Sequence, residues 1–133
     1  MRYFIEISYN GKNFHGWQIQ DNAETIQSRL EDSLSKILNK KITVFGSGRT
    51  DTGVHAISQV AHFDYDEVLK PNFLYRMNAI LPIDISINKV TKVRDNANSR
   101  FDATLREYIY MIHTQKSPFL DGLSLFCLLY TSD

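Results

Sequence analysis

Cysteine is nearly absent from this chain, as are long apolar runs and any excess of charge of one sign. The one cysteine, Cys127, excludes an intramolecular disulfide and a metal site built from several cysteines. No apolar run approaches the ~20 residues that a membrane-spanning helix needs. No signal peptide precedes the first strand-like segment. We therefore expect a cytoplasmic protein without a membrane segment or a bound metal.

The charges balance, with 15 basic and 15 acidic residues and no basic tail or block. Composition alone therefore does not predict RNA binding, and any basic surface must be made by folding. Hydrophobic residues make up 43% of the 133 residues, which is enough for one domain with a real core.

Hydrophobic periodicity predicts an alternation of strands and helices in the first part of the chain. Strands are predicted over Arg2–Tyr9, Ile42–Phe45, Ile57–Phe63 and Ile83–Val93. Apolar residues at helical spacing follow Thr25, a good capping residue, and a shorter helix runs from near Pro71 to just before Pro82. The order βαββαβ predicts an α+β, ferredoxin-like (RRM-like) domain with an antiparallel sheet.

The rest of the chain is predicted to begin a second, similar domain. Tyr108–Ile112 has the pattern of a further strand. We therefore divide the chain into a ferredoxin-like domain, residues 1–95, and a second part, residues 96–133. The second part holds a linker and the first strand of an incomplete domain, and it ends in an atypical tail, residues 121–133.

The segment from Gly46 to His55 concentrates more reactive groups than any other. It reads GSGRTDTGVH and combines a carboxylate, a guanidinium, an imidazole and three glycines after a predicted strand. Loops held by a rigid strand often carry catalytic groups, and Asp51 suits nucleophilic or acid–base chemistry. The same residue types are ordinary turn formers, so a surface turn fits them equally well. The segment lacks the glycine spacing of a dinucleotide site and the Gly-Lys of a P-loop.

Four segments resemble the TruA-type tRNA pseudouridine synthases, in the order in which they occur in that family. They are, in chain order, Tyr9–Gln18, Gly48–His55, Asn78–Pro82 and Phe101–Tyr110. Members of this family isomerise uridine to pseudouridine in the anticodon arm of tRNA, at positions 38–40 in tRNA numbering. The resemblance implies an isomerase that needs no cofactor, acts on tRNA and works as a homodimer.

The resemblance also implies roles for particular residues. Asp51 matches the catalytic aspartate, and whether it attacks the base or the sugar stays open. Arg49 matches a residue that holds RNA with the target base turned out, and a cation there is expected to lower the pKa of Asp51. A solvated ion pair of little consequence is the alternative. Tyr108 matches the tyrosine that stacks on the target uracil.

Four further residues are candidate RNA contacts. His55 is either an RNA contact or a structural hydrogen-bonding group. Gln18 follows the first strand, and Arg100 and Arg106 flank the later strand-like segment, where they are placed to approach phosphates. The scattered histidines and the single cysteine have no spacing typical of metal ligands.

After about Leu120 the resemblance ends, whereas family members continue into a second half with another active-site motif. That half includes a basic residue that pairs with the catalytic aspartate. We therefore expect a truncated chain that is inactive or very weak alone, a divergent short member being the alternative. A non-catalytic ferredoxin-like module that binds RNA or protein is the second functional hypothesis.

Overall fold

The computed structural model describes residues 1–102, together with the backbone of residues 112–113 and 125–126. Four strands form the main sheet, namely β1 (Arg2–Tyr9), β2 (Phe45–Gly46), β3 (Ala56–Asp64) and β4 (Ile85–Val93). Two helices, α1 (Ile26–Leu38) and α2 (Phe73–Ile80), connect them. Two further strands, β5 (Ile112–His113) and β6 (Leu125–Phe126), pair with each other in parallel.

The main sheet is antiparallel throughout, with the strand order β2-β3-β1-β4. This order places β3 between β1 and β2, as in a split βαβ unit, and β4 on the other side of β1. The predicted α+β, ferredoxin-like fold is therefore confirmed for the first domain. The predicted strand Tyr108–Ile112 lies outside the described residues except for Ile112, and so do Arg106 and Tyr108.

The core follows the predicted side-chain alternation. Along β1 every second residue is buried, from Tyr3 to Tyr9, and the residues between are half-buried. Helix α1 turns Ile26, Leu30 and Leu34 into the same hydrophobic cluster. Strands put alternate residues on opposite faces, so one face of the sheet packs on the helices.

Helix α1 begins at the predicted capping residue. The Thr25 hydroxyl accepts from the Ser28 backbone N–H at 3.2 Å, and the Ser28 hydroxyl accepts from the Thr25 N–H at 3.1 Å. This reciprocal pair is a capping box, which satisfies two backbone donors at the start of the helix. The helix ends at Asn39, which adopts the left-handed conformation common at helix ends.

Strand β2 is shorter than the predicted Ile42–Phe45, because side chains of α1 bind the backbone that precedes it. Ser35 Oγ accepts from the Ile42 N–H at 3.1 Å, and Glu31 accepts from the Val44 N–H at 3.0 Å. The Gln27 amide donates to Val44 O at 2.9 Å. Ile42 and Val44 are buried as the apolar pattern predicts, but only Phe45–Gly46 pairs with β3.

Strand β4 is held by Asn78, which lies in one of the four segments of family resemblance. The Asn78 side chain donates to Ile87 O at 2.9 Å and accepts from the Ile87 N–H at 2.8 Å. Its register against β1 shifts beside this point, between Glu6 and Ile7. The strand starts at Ile85 rather than at the predicted Ile83, whose side chain is fully exposed.

Candidate active-site loop

The loop of residues 47–55 connects β2 to β3 and presents Arg49 and Asp51 to solvent. It lies at the end of the sheet where β1 finishes, since Tyr9 pairs with Ala56, the first residue of β3. Both Arg49 and Asp51 are exposed. Within residues 1–102 these two side chains form no ion pair with each other. The Asp51 carboxylate is therefore accessible to a substrate.

The segment that joins β1 to α1 forms a floor beneath this loop. The Trp17 N–H donates to Thr50 O at 3.0 Å, and the Gly53 N–H donates to Phe14 O at 3.3 Å. Gly16 has φ +80°, and a Cβ on it would lie 2.6 Å from Thr50 O. The two backbones are thus in direct contact on either side of Asp51.

A buried tyrosine bonds to the loop from inside the fold. Tyr9 is 4% exposed; its hydroxyl donates to Gln59 Oε1 at 2.6 Å and lies 2.8 Å from Thr50 Oγ1. Gln59 in turn donates to Gly48 O at 2.8 Å. The pKa of the Tyr9 hydroxyl is raised, because the effect of burial exceeds that of the hydrogen bond with Thr50, which lowers it. The hydroxyl therefore stays protonated and anchors residues before Asp51.

His55 has a structural contact at the end of the loop. Its Nδ1 accepts from the Gly11 backbone N–H at 2.8 Å. Gly11 begins a short 3-10 turn that directly follows β1. This bond ties the loop to the turn, and it fits the structural alternative that the sequence left open for His55.

A groove beside β2 brings together three predicted RNA contacts. Gln18, Arg49 and Arg100 line this groove, which has a volume of about 590 Å³. The rings of Phe45 and Phe101 also line it, and 51% of the surface of Phe45 and 80% of the surface of Phe101 are exposed to solvent. We call it the aromatic groove. Its size is in the range of small-molecule and cofactor sites.

A buried histidine on β3 holds the segment that carries Arg100. His62 Nδ1 accepts from the Ser99 backbone N–H at 3.2 Å and lies 2.8 Å from Ser99 Oγ. Ser99 Oγ also donates to Phe45 O at 3.2 Å. Residues 98–101 are thereby held along the β2 edge of the sheet, where they form one wall of the aromatic groove.

The surroundings of His62 favour its neutral form. The imidazole is 3% exposed and lies between the rings of Phe4 and Phe45, with centroids 6.0 and 5.1 Å away. Burial lowers the pKa of His62, Arg2 lowers it further, and Asp64 opposes the shift. A neutral ring keeps a lone pair on Nδ1 for the Ser99 N–H.

The loop lies in the part of the chain that matches a known protein family. A sequence model described as tRNA pseudouridine synthase matches residues 6–102, which include the loop, its floor and Asn78. The chain belongs to this family. The tRNA pseudouridine synthase A of Azobacteroides pseudotrichonymphae is 52% identical over 119 residues, covering 89% of this chain and 48% of that protein. That of Bacteroides thetaiotaomicron is 48% identical, covering 89% of this chain and 44% of the relative.

A relative of lower identity is similar over nearly the whole of this chain. The tRNA pseudouridine synthase A of Staphylococcus aureus is 41% identical over 129 residues, covering 95% of this chain and 49% of that protein. The chain therefore spans about half the length of the curated relatives that it matches. The predicted TruA-type resemblance is confirmed.

Sequence reasoning missed the groups that position the Asp51 loop. Tyr9 lies in a segment of family resemblance that indicates no role for its hydroxyl, and Gln59 lies in no such segment. The contact between Tyr9 and Thr50 spans 41 residues of sequence. The bond between His62 and Ser99 was missed for the same reason. The pairing of β1 with β3 brings Tyr9 and Gln59 together, whereas the contact between Ser99 and His62 depends on where the segment after β4 meets β2.

Among the residues that the structure describes, no group of three or more His, Cys, Asp or Glu side chains is arranged to hold a metal ion. No helix among those residues is long and apolar enough to cross a membrane.

Proposed function

We propose that this chain supplies the catalytic-aspartate part of a tRNA pseudouridine synthase, with Asp51 as the nucleophile. The observation that carries the proposal is the exposed Asp51 on a loop fixed from two sides, by the floor at Thr50 and Gly53 and by Tyr9. A nucleophile held in place before the substrate arrives lowers the entropic cost of reaching the transition state. The reaction itself is inferred from the family to which the chain belongs.

The reaction exchanges one bond of uridine for another without redox change. The N-glycosidic bond breaks, the uracil rotates, and carbon 5 joins the ribose and loses its hydrogen as a proton. The nitrogen released from the ribose takes up a proton, so the product is an isomer of the substrate. Asp51 is the group we assign to attack, on either the base or the sugar. The target uridine lies in the anticodon arm of tRNA, at positions 38–40.

Three other residues have proposed roles around Asp51. Arg49 lies two residues before it, and we assign it to bind RNA phosphates. Tyr108 is the residue we assign to stack on the target uracil, and Arg106 to contact phosphate, both by family resemblance.

The chain spans about half the length of its relatives, and we infer that the second half of the fold supplies the rest of the cleft. We therefore propose that the chain alone turns over very slowly or not at all. By family resemblance, the complete protein acts as a homodimer in the cytoplasm.

Tritium release from tRNA labelled at carbon 5 of uridine tests the catalytic role. We would assay this chain, and this chain fused to the second half of the Bacteroides thetaiotaomicron relative. Asp51→Asn in the fusion is expected to lower release at least about 1,000-fold while tRNA affinity stays within severalfold. Asp32→Asn is the matched control, because Asp32 is an exposed carboxylate on α1.

Equal release by the fusion with and without Asp51→Asn would overturn the catalytic assignment. It would favour the alternative, a ferredoxin-like module that binds RNA or a partner chain. Full turnover by the unfused chain would contradict the inference that the second half is needed.

A further inference from the structure

The aromatic groove has a charge pattern that differs from that of the whole chain. The described residues that line it include two arginines, Arg49 and Arg100, and no carboxylate. A cavity of about 440 Å³ elsewhere is lined by Lys40, Lys70 and Arg76 together with acidic residues. The chain as a whole has no net charge. Folding therefore concentrates positive charge in the aromatic groove, which favours an anionic ligand.

Two aromatic rings lie in this positive groove with much of their surface exposed. The inner face of Phe45 stacks on His62 at a centroid distance of 5.1 Å, which fixes the ring. Phe101 follows Arg100 on the segment held by Ser99 and is 80% exposed. Exposed rings combined with cations are the usual means of binding single-stranded nucleic acid, because bases stack on the rings.

The groove is continuous with the Asp51 loop, because both include Gly48 and Arg49. A polynucleotide with one residue at Asp51 therefore has its neighbour within reach of the groove. Asn98 also lines the groove; its Oδ1 accepts from the backbone N–H groups of Arg100 and Phe101, so its NH2 group is the donor for a base edge. The ligand chemistry that fits is an unpaired nucleotide: a base against the rings and a phosphate against the arginines.

We propose that the aromatic groove binds an unpaired nucleotide of the tRNA next to the uridine at Asp51. Its base stacks on Phe45 or Phe101, and its phosphate contacts Arg49 and Arg100. This inference rests on the proposed function, since it takes the substrate to be tRNA. It adds a second binding point that keeps the RNA strand in place while the target base is turned out.

Binding of fluorescent RNA to this chain tests the proposal by anisotropy. The probes are an anticodon stem-loop with unpaired nucleotides and a blunt duplex of the same length. Phe101→Leu is expected to weaken stem-loop binding about 5- to 150-fold, whereas Phe101→Tyr, which keeps the ring, restores it. Duplex binding is expected to change less than twofold. Both variants are expected to fold, because Phe101 is exposed.

Tyr75→Leu is the matched control, because Tyr75 is an aromatic residue with 79% exposure on α2 and does not line the groove. Its affinity for the stem-loop should equal that of the unchanged chain. Arg100→Gln should reduce the salt dependence of binding by about one unit of slope. This readout separates a phosphate contact from a purely structural role.

Three outcomes overturn the groove proposal. One is stem-loop affinity of Phe101→Leu within twofold of the unchanged chain, and another is no binding of the stem-loop by the unchanged chain. The third is that Phe101→Leu weakens binding of the second half of the Bacteroides thetaiotaomicron relative and leaves RNA binding intact, which would assign the groove to a protein segment. Asp51-dependent tritium release with normal Phe101→Leu binding would leave the proposed function standing without the groove. Weaker stem-loop binding by Phe101→Leu, together with equal tritium release with and without Asp51→Asn, would support the groove and overturn the catalytic assignment of Asp51.

Discussion

Replacing Gly16 by alanine tests whether the floor segment sets the position of the Asp51 loop. Gly16 has φ +80°, a conformation that costs an L-residue about 1–2 kcal/mol. An added Cβ would also lie 2.6 Å from Thr50 O and 3.3 Å from the Asp51 carbonyl carbon. The atoms in the way are backbone, so they cannot rotate aside as a side chain would.

Gly53 provides the matched control, since it has the same φ of +80° but nothing within 4 Å of its would-be Cβ. Gly53→Ala should therefore lower the free energy of unfolding by the conformational cost alone, about 1–2 kcal/mol. In Gly16→Ala, Thr50 must also move by roughly 0.8 Å to reach ordinary contact, as judged from the 2.6 Å approach. That movement stretches the 3.0 Å bond from the Trp17 N–H to Thr50 O.

Loss of this backbone bond adds about 1–3 kcal/mol, so Gly16→Ala should lower the free energy of unfolding by about 2–5 kcal/mol. Urea titrations of both variants and the unchanged chain, followed by circular dichroism, measure the difference. Equal destabilisation by Gly16→Ala and Gly53→Ala would refute the reasoning. It would mean that the backbone of Thr50 leaves room for a Cβ at residue 16.

Two further predictions concern buried polar groups. The pKa of His62 is lowered on folding, so its stabilising contribution is complete above about pH 6.5 and is lost as pH falls through the folded pKa. The urea midpoint should drop between pH 8 and 5.5, less so in His62→Asn, with His15→Asn as the control; parallel curves would contradict this. Tyr9→Phe should lower the free energy of unfolding by about 1–3 kcal/mol, since Thr50 and Gln59 lose a buried partner. A change below about 0.5 kcal/mol in urea titration would refute it.

Patterns local in sequence predicted the fold well. The alternation along β1, the Thr25 cap and the helical spacing after it all appear in the structure as expected. These features depend on residues close together in the chain, so periodicity and capping chemistry suffice. The prediction failed for Ile42–Phe45, where side chains of α1 replace a neighbouring strand as hydrogen-bond partners. Such competition is a tertiary effect that periodicity does not contain.

The site was predictable only in part. The motif around Asp51 identified the loop and the exposed carboxylate, but not what holds them. Tyr9 reaches Thr50 across 41 residues of sequence, and Ser99 reaches His62 across 37. The Tyr9 contact depends on the register of β1, because a one-residue slip would turn the side chain to the other face of the sheet. The Ser99 contact depends on where the segment after β4 meets β2. The aromatic groove likewise combines Phe45 and Phe101, whose closeness no local pattern indicates.

Within the segments of family resemblance, some residues hold the Asp51 loop in position and others are exposed on it. Within Tyr9–Gln18, Gly16 and Trp17 fix the loop through backbone contacts, while the Tyr9 hydroxyl fixes it from inside. Asn78 fixes β4 and lies in a different segment. Asp51 is exposed on the loop that these groups hold. Because backbone and buried groups position the loop, the exposed side chains of Arg49 and Asp51 are not needed to hold it in place.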